Sequence, residues 1–184
     1  MVYSKIKLSA INTPEPSEVE LLFPKQLGLD CVYTWVRSDQ QDYEFLVRLR
    51  EKVDNVGLEL YNVGSTNVAK SDQIHLALPN RDAKIEEFQD FVRNLGRAGI
   101  YTTTFTWEPV GVWSSEPGET RGAVTRRDDL NEMAQRPYTH GRAFSEEEIW
   151  ANYTYFIERM LPVAEEAGVR LALHPNDPPT TILG

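Results

Sequence analysis

The sequence contains very little cysteine, and it has neither a long hydrophobic run nor an excess of basic residues. The single cysteine, Cys31, cannot form an internal disulfide, which is typical of a protein in a reducing compartment. No stretch approaches the roughly 20 apolar residues that a membrane span needs. The residues that follow Met1 contain no hydrophobic signal region. These absences predict a cytoplasmic protein that does not associate with membranes.

The charge of the chain limits its partners. The formal net charge is -9 over 184 residues, so the protein repels phosphate backbones and anionic lipids. This predicts a small-molecule or protein partner and no nucleic-acid binding. With 41% hydrophobic residues the chain is long enough to bury one core, and we expect residues 1–184 to form a single domain.

A glycine precedes an apolar segment at four places in the chain. Glycine adopts the left-handed backbone conformation at little cost, and for this reason it commonly follows the last residue of a helix. The recurrence therefore predicts four helix-to-strand junctions, at Gly28, Gly57, Gly99 and Gly168.

Four helices are predicted between these junctions. Capping boxes, in which a serine is followed three residues later by Glu or Gln, mark helix starts at Ser17, Ser38 and Ser145. A further helix is indicated by apolar residues at helical spacing, namely Ile85, Phe88, Val92 and Leu95. Pro162, late in the last helix, is expected to kink it or to readjust its final turn.

Five strands alternate with these helices. Each is a short apolar segment rich in β-branched or aromatic residues, and together they cover residues 6–11, 29–34, 58–63, 100–106 and 169–173. Such alternation predicts an α/β fold with a parallel sheet, either doubly wound and open or curled toward a barrel.

The connections at the two ends of the predicted sheet differ in length. Every helix-to-strand connection is a tight glycine turn, whereas long loops follow two strands at residues 62–80 and 107–144. Ligands of parallel α/β folds bind at the carboxyl ends of the strands, so the long loops mark the expected functional face. The second loop exceeds ordinary connections and is interpreted as a lid or binding loop.

His174 ends the last strand on that face, and Pro175 restricts the backbone beside it. Imidazole is the commonest metal ligand among side chains, and the location favours a metal-binding role over that of a hydrogen-bonded polar residue at a strand end. Asp177 offers a carboxylate that would orient this imidazole or coordinate the metal itself, but the sequence Asp-Pro-Pro is typical of a turn, and we favour the turn.

Other candidate residues lie in the loops of the same face. Trp107 and Trp113 are candidates for the wall of a sugar-sized pocket, with core packing the stronger interpretation for Trp107 and a pocket or lid role nearly as strong as core packing for Trp113. Arg81 opens a helix, where its charge opposes the helix dipole, and it suits a carboxylate ligand unless it is merely exposed. His75 and His140 have no neighbour at a recognised ligand spacing and are interpreted as surface histidines.

Three motifs occur in order along the chain, at residues 74–82, 107–113 and 174–179, the last reading His-Pro-Asn-Asp-Pro-Pro. With these motifs the sequence resembles the mannonate dehydratases. The segments 91–100 and 161–169 resemble the same family, so the similarity covers nearly the whole chain.

This resemblance implies a TIM barrel of the xylose-isomerase-like group. The chain would form part of it, with about five parallel strands and four helices, and would not close the barrel alone. The implied reaction is the dehydration of D-mannonate to 2-keto-3-deoxy-D-gluconate in hexuronate breakdown, with Mn²⁺ or Fe²⁺ as the cofactor. His174 corresponds to a metal ligand of the family, and Trp113, Arg81 and Trp107 are expected near the substrate.

Two departures from the family pattern matter. Asn176 stands where the family usually has an aspartate, and the other family ligands, a cysteine, a second histidine and an aspartate, come from later strands. We therefore expect a homo-oligomer that completes or covers the open barrel. The alternatives are a sugar isomerase or epimerase of the same barrel group, and a non-catalytic module for sugar-acid binding or subunit interaction.

Overall fold

Parallel strands that follow chain order form the scaffold of the protein. The computed structural model describes residues 6–109, 111 and 113–184. Val110 and Val112 of the tryptophan motif and residues 1–5 lie outside this range. The strands are β1 (Ser9–Ile11), β2 (Cys31–Val36), β3 (Glu59–Ser65), β4 (Thr102–Thr106), β5 (Gly118–Thr120), β6 (Ala123–Thr125) and β7 (Arg170–His174). β1, β2 and β3 pair in parallel, as do β4 and β7, whereas β5 and β6 form an antiparallel hairpin.

The helices lie between these strands. They are α1 (Glu18–Gln26), α2 (Tyr43–Asn55), α3 (Asp72–His75), α4 (Arg81–Arg97), α5 (Leu130–Ala134) and α6 (Glu146–Ala167). The five predicted strands and four predicted helices are therefore present in the described part of the chain, with β5, β6, α3 and α5 as additional short elements. All of these additions lie within the two long loops.

The four glycine junctions are confirmed. Gly28, Gly57, Gly99 and Gly168 have φ angles between 67° and 77°, in the left-handed region. At each junction the residue after the glycine donates its backbone N–H to the carbonyl oxygen five residues earlier, for example Val169 to Ala164 at 2.9 Å. The hydrogen bond closes the helix and points the chain into the next strand.

Two of the three predicted capping boxes are confirmed. The Ser17 and Ser145 side chains accept hydrogen bonds from the backbone of Glu20 and Glu148. The box at Ser38 is wrong, because residues 38–40 form a single 3-10 turn and α2 begins after Asp42, whose carboxylate accepts from the Phe45 N–H at 2.8 Å. A carboxylate next to the helix start also interacts favourably with the helix dipole.

Pro162 does not end the last helix. α6 continues through it to Ala167, where the glycine junction closes it. The helix therefore keeps its full length over the sheet.

The strand order decides between the two sheet arrangements that the sequence left open. β1, β2 and β3 are sequential neighbours, and β3 lies beside β4, where the Asn62 side-chain amide donates to the Thr104 hydroxyl at 2.6 Å. A doubly wound sheet reverses its strand order at a switch point, whereas a barrel keeps one direction. The observed order is that of an incomplete barrel, and in the described residues β1 and β7 each pair on one side.

The core fills the space between the helices and one face of the strands. Phe156 of α6 is at its centre, with ring centroids 5.9 Å from Phe88 of α4 and 5.4 Å from Phe105 of β4. Burying a side chain of this size contributes roughly 1.5 to 3 kcal/mol. The opposite face of the strands is more polar and carries Thr104 and His174. No described helix is long and apolar enough to cross a membrane.

A close helix contact gives the first prediction. A Cβ atom added at Gly96 of α4 would lie 2.4 Å from the carbonyl oxygen of Ala167. In an isolated helix alanine is favoured over glycine by about 1 kcal/mol. We nevertheless expect Gly96→Ala to lower the free energy of unfolding by about 1 to 3 kcal/mol, because α4 and α6 must separate. Urea denaturation measures this change.

The matched control is Glu86→Ala, on the exposed side of α4. It should change the free energy of unfolding by less than about 0.5 kcal/mol. A gain in stability for Gly96→Ala would show that the two helices do not approach this closely.

Candidate active site

The candidate site lies where β4 and β7 end side by side. Thr106, the last residue of β4, pairs in register with His174, the last residue of β7. Phe105 faces the helices, so alternation along the strands places Thr106 and His174 on the opposite, inner face. The sequence predicted a site at this end of the sheet, and both strand ends meet there.

An acidic side chain that the sequence argument did not select contacts His174. The Glu108 side chain is 2% exposed, and its Oε1 lies 3.2 Å from Nδ1 of His174. The same nitrogen lies 2.7 Å from the carbonyl oxygen of Pro175. Two oxygen acceptors therefore converge on one ring nitrogen.

This arrangement favours one of the two tautomers of the neutral imidazole. A nitrogen that faces two acceptors favours the proton, and in that tautomer the lone pair lies on Nε2. The His174 side chain is 48% exposed. Its free nitrogen is therefore available to a cation or a substrate, which is the chemistry expected of a metal-binding histidine.

The described residues do not contain a complete metal site. They include no group of three or more His, Cys, Asp or Glu side chains placed to hold one ion. Cys31 is buried at the amino end of β2, where its Sγ lies 3.5 Å from the Leu8 carbonyl oxygen, so it is far from this face. His174 is thus a single donor that fits a metal but does not hold it alone.

The residues after His174 form a turn. The Asn176 side-chain amide donates to the carbonyl oxygens of Pro178 at 2.8 Å and Thr180 at 3.3 Å, which holds the chain that follows β7. Asp177 lies in this turn, and the acid in contact with the imidazole is Glu108.

Trp107 belongs to both a packed layer and a cavity. Its ring lies 5.1 Å from Tyr153 and 5.5 Å from Phe156 of α6, and 4.5 Å from His75. It also lines an open cavity of about 460 Å³ on the α6 side of the strand ends. Trp107 therefore packs on the core and also lines a cavity, and its contact with a sugar stays a prediction.

The cavity is lined by apolar and polar residues in nearly equal number. Trp150 and Phe144 provide aromatic walls, and His140, Arg142 and Asn176 are among the polar residues that could bind sugar hydroxyls or a carboxylate. A cavity with apolar walls and several polar groups suits a small polar ligand.

The other two predicted substrate residues do not line this cavity. Trp113 is half-buried and has the Arg136 guanidinium 4.6 Å from its ring centroid. The guanidinium of Arg81 lies 3.5 Å from the Tyr155 ring, and its Nε lies 3.3 Å from the Asp82 carboxylate. The roles of Trp113 and Arg81 in substrate binding stay predictions.

The interpretation of two histidines as surface residues is corrected by the structure. His75 is buried with 2% exposure, because its neighbours Ile74 and Leu76 carry it under α6 and against Trp107. His140 is half-buried, its Nε2 lies 3.0 Å from the Pro109 carbonyl oxygen, and it lines the cavity. The apolar residues on either side of His75 indicate burial, and an interpretation based only on the spacing of metal ligands did not take them into account.

Structural comparisons define the class of protein. D-psicose 3-epimerase from Clostridium cellulolyticum H10 superposes with a TM-score of 0.58 at 14% identity, covering 92% of this chain and 52% of that one. A xylose isomerase domain protein from Planctomyces limnophilus gives a TM-score of 0.53 at 12% identity, with 91% and 53% coverage. The chain therefore has part of the fold of xylose-isomerase-like TIM barrels. At such low identity these similarities carry no information about the reaction.

Sequence comparison defines the family. The family model for D-mannonate dehydratase (UxuA) matches residues 25–122 and 122–184, so the chain belongs to the mannonate dehydratase family. The crystal structure of mannonate dehydratase from Streptococcus suis serotype 2 matches with a TM-score of 0.83 at 30% identity, covering 98% of this chain and 55% of that chain.

Curated mannonate dehydratases give the same result. The protein from Streptococcus suis (strain 05ZYH33) is 35% identical over 168 residues, which covers 77% of this chain and 45% of the relative. The one from Thermotoga maritima is 30% identical over 176 residues, with 77% and 48% coverage. This chain spans about half the length of the curated relatives that it matches.

The buried His75 generates a prediction about pH. Burial lowers the pKa of His75 to about 4, although a backbone hydrogen bond with Thr106 and the charge of Asp72 act in the opposite direction. The unfolded chain takes up this proton near pH 6.5, whereas the folded protein does so only near pH 4. Stability is therefore fully present above pH 6.5 and falls as the pH is lowered toward 4.

We expect the protonation of His75 to lower the free energy of unfolding by about 3 kcal/mol between pH 7 and pH 4. Denaturation of the wild type and of His75→Leu across this range measures the effect. As the pH falls, the free energy of unfolding of the wild type should decrease relative to that of His75→Leu, since leucine takes up no proton. Parallel pH curves would contradict the neutral buried state.

Proposed function

We propose that this chain forms the His174-bearing part of a metal-dependent sugar-acid dehydratase that converts D-mannonate to 2-keto-3-deoxy-D-gluconate and water. The observation that carries the proposal is the half-exposed imidazole of His174 at the carboxyl end of β7, with Nδ1 directed at two oxygens, in a chain of the mannonate dehydratase family. We further propose that the reaction serves hexuronate breakdown in the cytoplasm, where a lone cysteine stays reduced.

Mn²⁺ or Fe²⁺ is the proposed cofactor. Such a cation, when bound, would polarise the carboxylate of the sugar acid and stabilise the negative charge that develops next to it during dehydration. His174 would hold the ion through Nε2, with Nδ1 directed at Glu108 and Pro175. Further donors must join this imidazole, because the described residues do not gather a set of three.

The residues of this chain would also bind the sugar acid. Trp107, which lines the 460 Å³ cavity, would present an apolar ring face to the sugar carbons. Trp113 and Arg81 are proposed as further substrate contacts. Arg81 would have to exchange its contacts with Tyr155 and Asp82 for the carboxylate of the substrate.

Metal binding by His174 is directly testable on the 184-residue chain. We expect Mn²⁺ to broaden the His174 ring resonances at lower concentrations than those of His140, because the His140 Nε2 is already bound to the Pro109 carbonyl oxygen. His174→Ala should remove this high-affinity broadening, and His140→Ala should leave it in place. Equal broadening of all three histidines would speak against a specific role of His174.

The reaction is tested with D-mannonate and Mn²⁺, with NMR detection of the 2-keto-3-deoxy acid. We expect product formation that chelator abolishes and that His174→Ala lowers by a factor of at least about 100, as for loss of a group acting in the transition state. Glu116→Ala, on an exposed loop, is the matched control and should leave the rate unchanged. Binding of D-mannonate that neither chelator nor His174→Ala weakens, without turnover, would favour a non-catalytic sugar-acid binding module, for which Asn176 and the incomplete donor set are the supporting observations.

Self-association is a separate proposal. The edge strands expose apolar side chains, with Ile11 of β1 at 62% and Leu173 of β7 at 48% exposure. Unpaired edges and exposed apolar surface favour association with another polypeptide. We expect sedimentation to show a dimer or larger homo-oligomer at micromolar concentration, and Leu173→Lys to shift it toward monomer. A folded monomer at all concentrations would contradict this proposal.

A further inference from the structure

Glu108 is a buried acid, and neither apolar packing nor an ion pair with a Lys or Arg in the described part of the chain explains why a carboxylate is buried at this position. Its side chain is 2% exposed, and its Oε1 has no hydrogen-bond partner that meets geometric criteria among the described residues. A buried carboxylate oxygen without a donor is strongly unfavourable, so such groups are rarely retained without a specific neighbour. The neighbour in this case is the His174 imidazole at 3.2 Å.

Two oxygen atoms lie close to Nδ1 of His174, and they differ in distance and in charge. The Pro175 carbonyl oxygen lies at 2.7 Å and takes the direct hydrogen bond, while the Glu108 carboxylate lies slightly farther away. Both acceptors favour a proton on Nδ1, and the carboxylate adds a negative charge that the neutral carbonyl lacks. The Nε2–H form of the ring would place a lone pair against both oxygens and is therefore disfavoured.

We propose that Glu108 is a positioning residue for His174, which holds the imidazole as the Nδ1–H tautomer with the lone pair on Nε2, the ring nitrogen that does not face Glu108. The two nitrogens of the ring point in roughly opposite directions. A carboxylate against Nδ1 therefore does not reach a ligand on Nε2, and it acts through the orientation and the basicity of the ring.

The backbone of Glu108 is fixed on both sides, which a positioning residue requires. On one side Trp107 is locked between His75 and α6, and the Thr106 N–H donates to the Ala69 carbonyl oxygen at 2.9 Å. On the other side the Glu108 carbonyl oxygen accepts from the Gly111 N–H at 2.9 Å. The carboxylate is thus held at the imidazole by structure on either flank.

The contribution of Glu108 to catalysis rests on the proposed function. The tautomer of His174 can be measured whether or not that function is correct. The test is therefore made on the metal-free 184-residue chain, without substrate. Long-range ¹H–¹⁵N spectra at pH 8.5, where a free imidazole is neutral, distinguish the two tautomers of each histidine. The His174 signals are assigned by their absence in His174→Ala.

The wild-type spectrum gives the first result. We expect His174 in the Nδ1–H form, and a predominantly Nε2–H ring in the folded wild type would overturn the proposal without any variant.

The variants separate positioning from structural support. Glu108→Met keeps an unbranched side chain of similar size but removes the acceptor, and we expect the Nε2–H form of His174 to increase at least about fivefold relative to Nδ1–H, a shift of about 1 kcal/mol in the tautomer equilibrium. Glu108→Gln retains an oxygen acceptor and should keep most of the Nδ1–H form. Glu116→Met, at an exposed position, serves as the control for the substitution itself.

Thermal unfolding provides the second measurement. Because Glu108→Met removes a buried oxygen without a hydrogen-bond partner, we expect its melting temperature to equal or exceed that of the wild type. A large loss of melting temperature with an unchanged His174 tautomer would assign Glu108 a purely structural role and overturn the proposal.

A metal titration then tests whether the tautomer of His174 affects metal binding. The Mn²⁺ concentration that half-broadens the His174 resonances should rise about 10-fold or more in Glu108→Met, the range for loss of a group that orients a metal-binding histidine. If the tautomer changes as expected but no protein binds Mn²⁺ at His174, the positioning role stands and the proposed metal site fails.

Discussion

The site depends on the parallel pairing of β4 with β7. The register places Thr106 beside His174, and two residues later the chain after β4 delivers Glu108 to the imidazole. A shift by one residue would turn every side chain of β7 to the other face and point the imidazole at the helices. Phe105 of β4, one residue before Thr106, is anchored against Phe156 of α6, so the packed core maintains the register that the site requires.

The polar groups near this strand end are buried at an energetic cost. Nδ1 of His75, Nε1 of Trp107 and Oε1 of Glu108 are buried without hydrogen-bond partners among the described residues, and two of them are consecutive in the chain. Each such atom destabilises the folded state by about 1 to 3 kcal/mol. Several buried polar groups without partners at one edge of a sheet are typical of functional sites. The aromatic side chains packed beneath this edge stabilise the fold against that cost.

Local signals predicted the elements well where the stabilising contacts are themselves local. The glycine junctions and the boxes at Ser17 and Ser145 depend on hydrogen bonds within a few residues, which a sequence displays directly. The box at Ser38 failed because Asp42, four residues later, is a competing cap and captures the helix start. The β5–β6 hairpin was missed because Arg121, with a φ of 54°, occupies a turn position that usually requires Gly or Asn.

The amino-acid sequence by itself determined the alternation of strands and helices, the end of the sheet that carries the long loops and the place of His174 at a strand end. Each of these follows from periodicity, capping and the backbone preferences of glycine and proline, which operate over a few residues. Only the tertiary structure decided that Glu108 faces His174 and that His75 is buried under α6. Those contacts join residues distant in the chain, and they depend on strand register and helix packing, which no local pattern encodes.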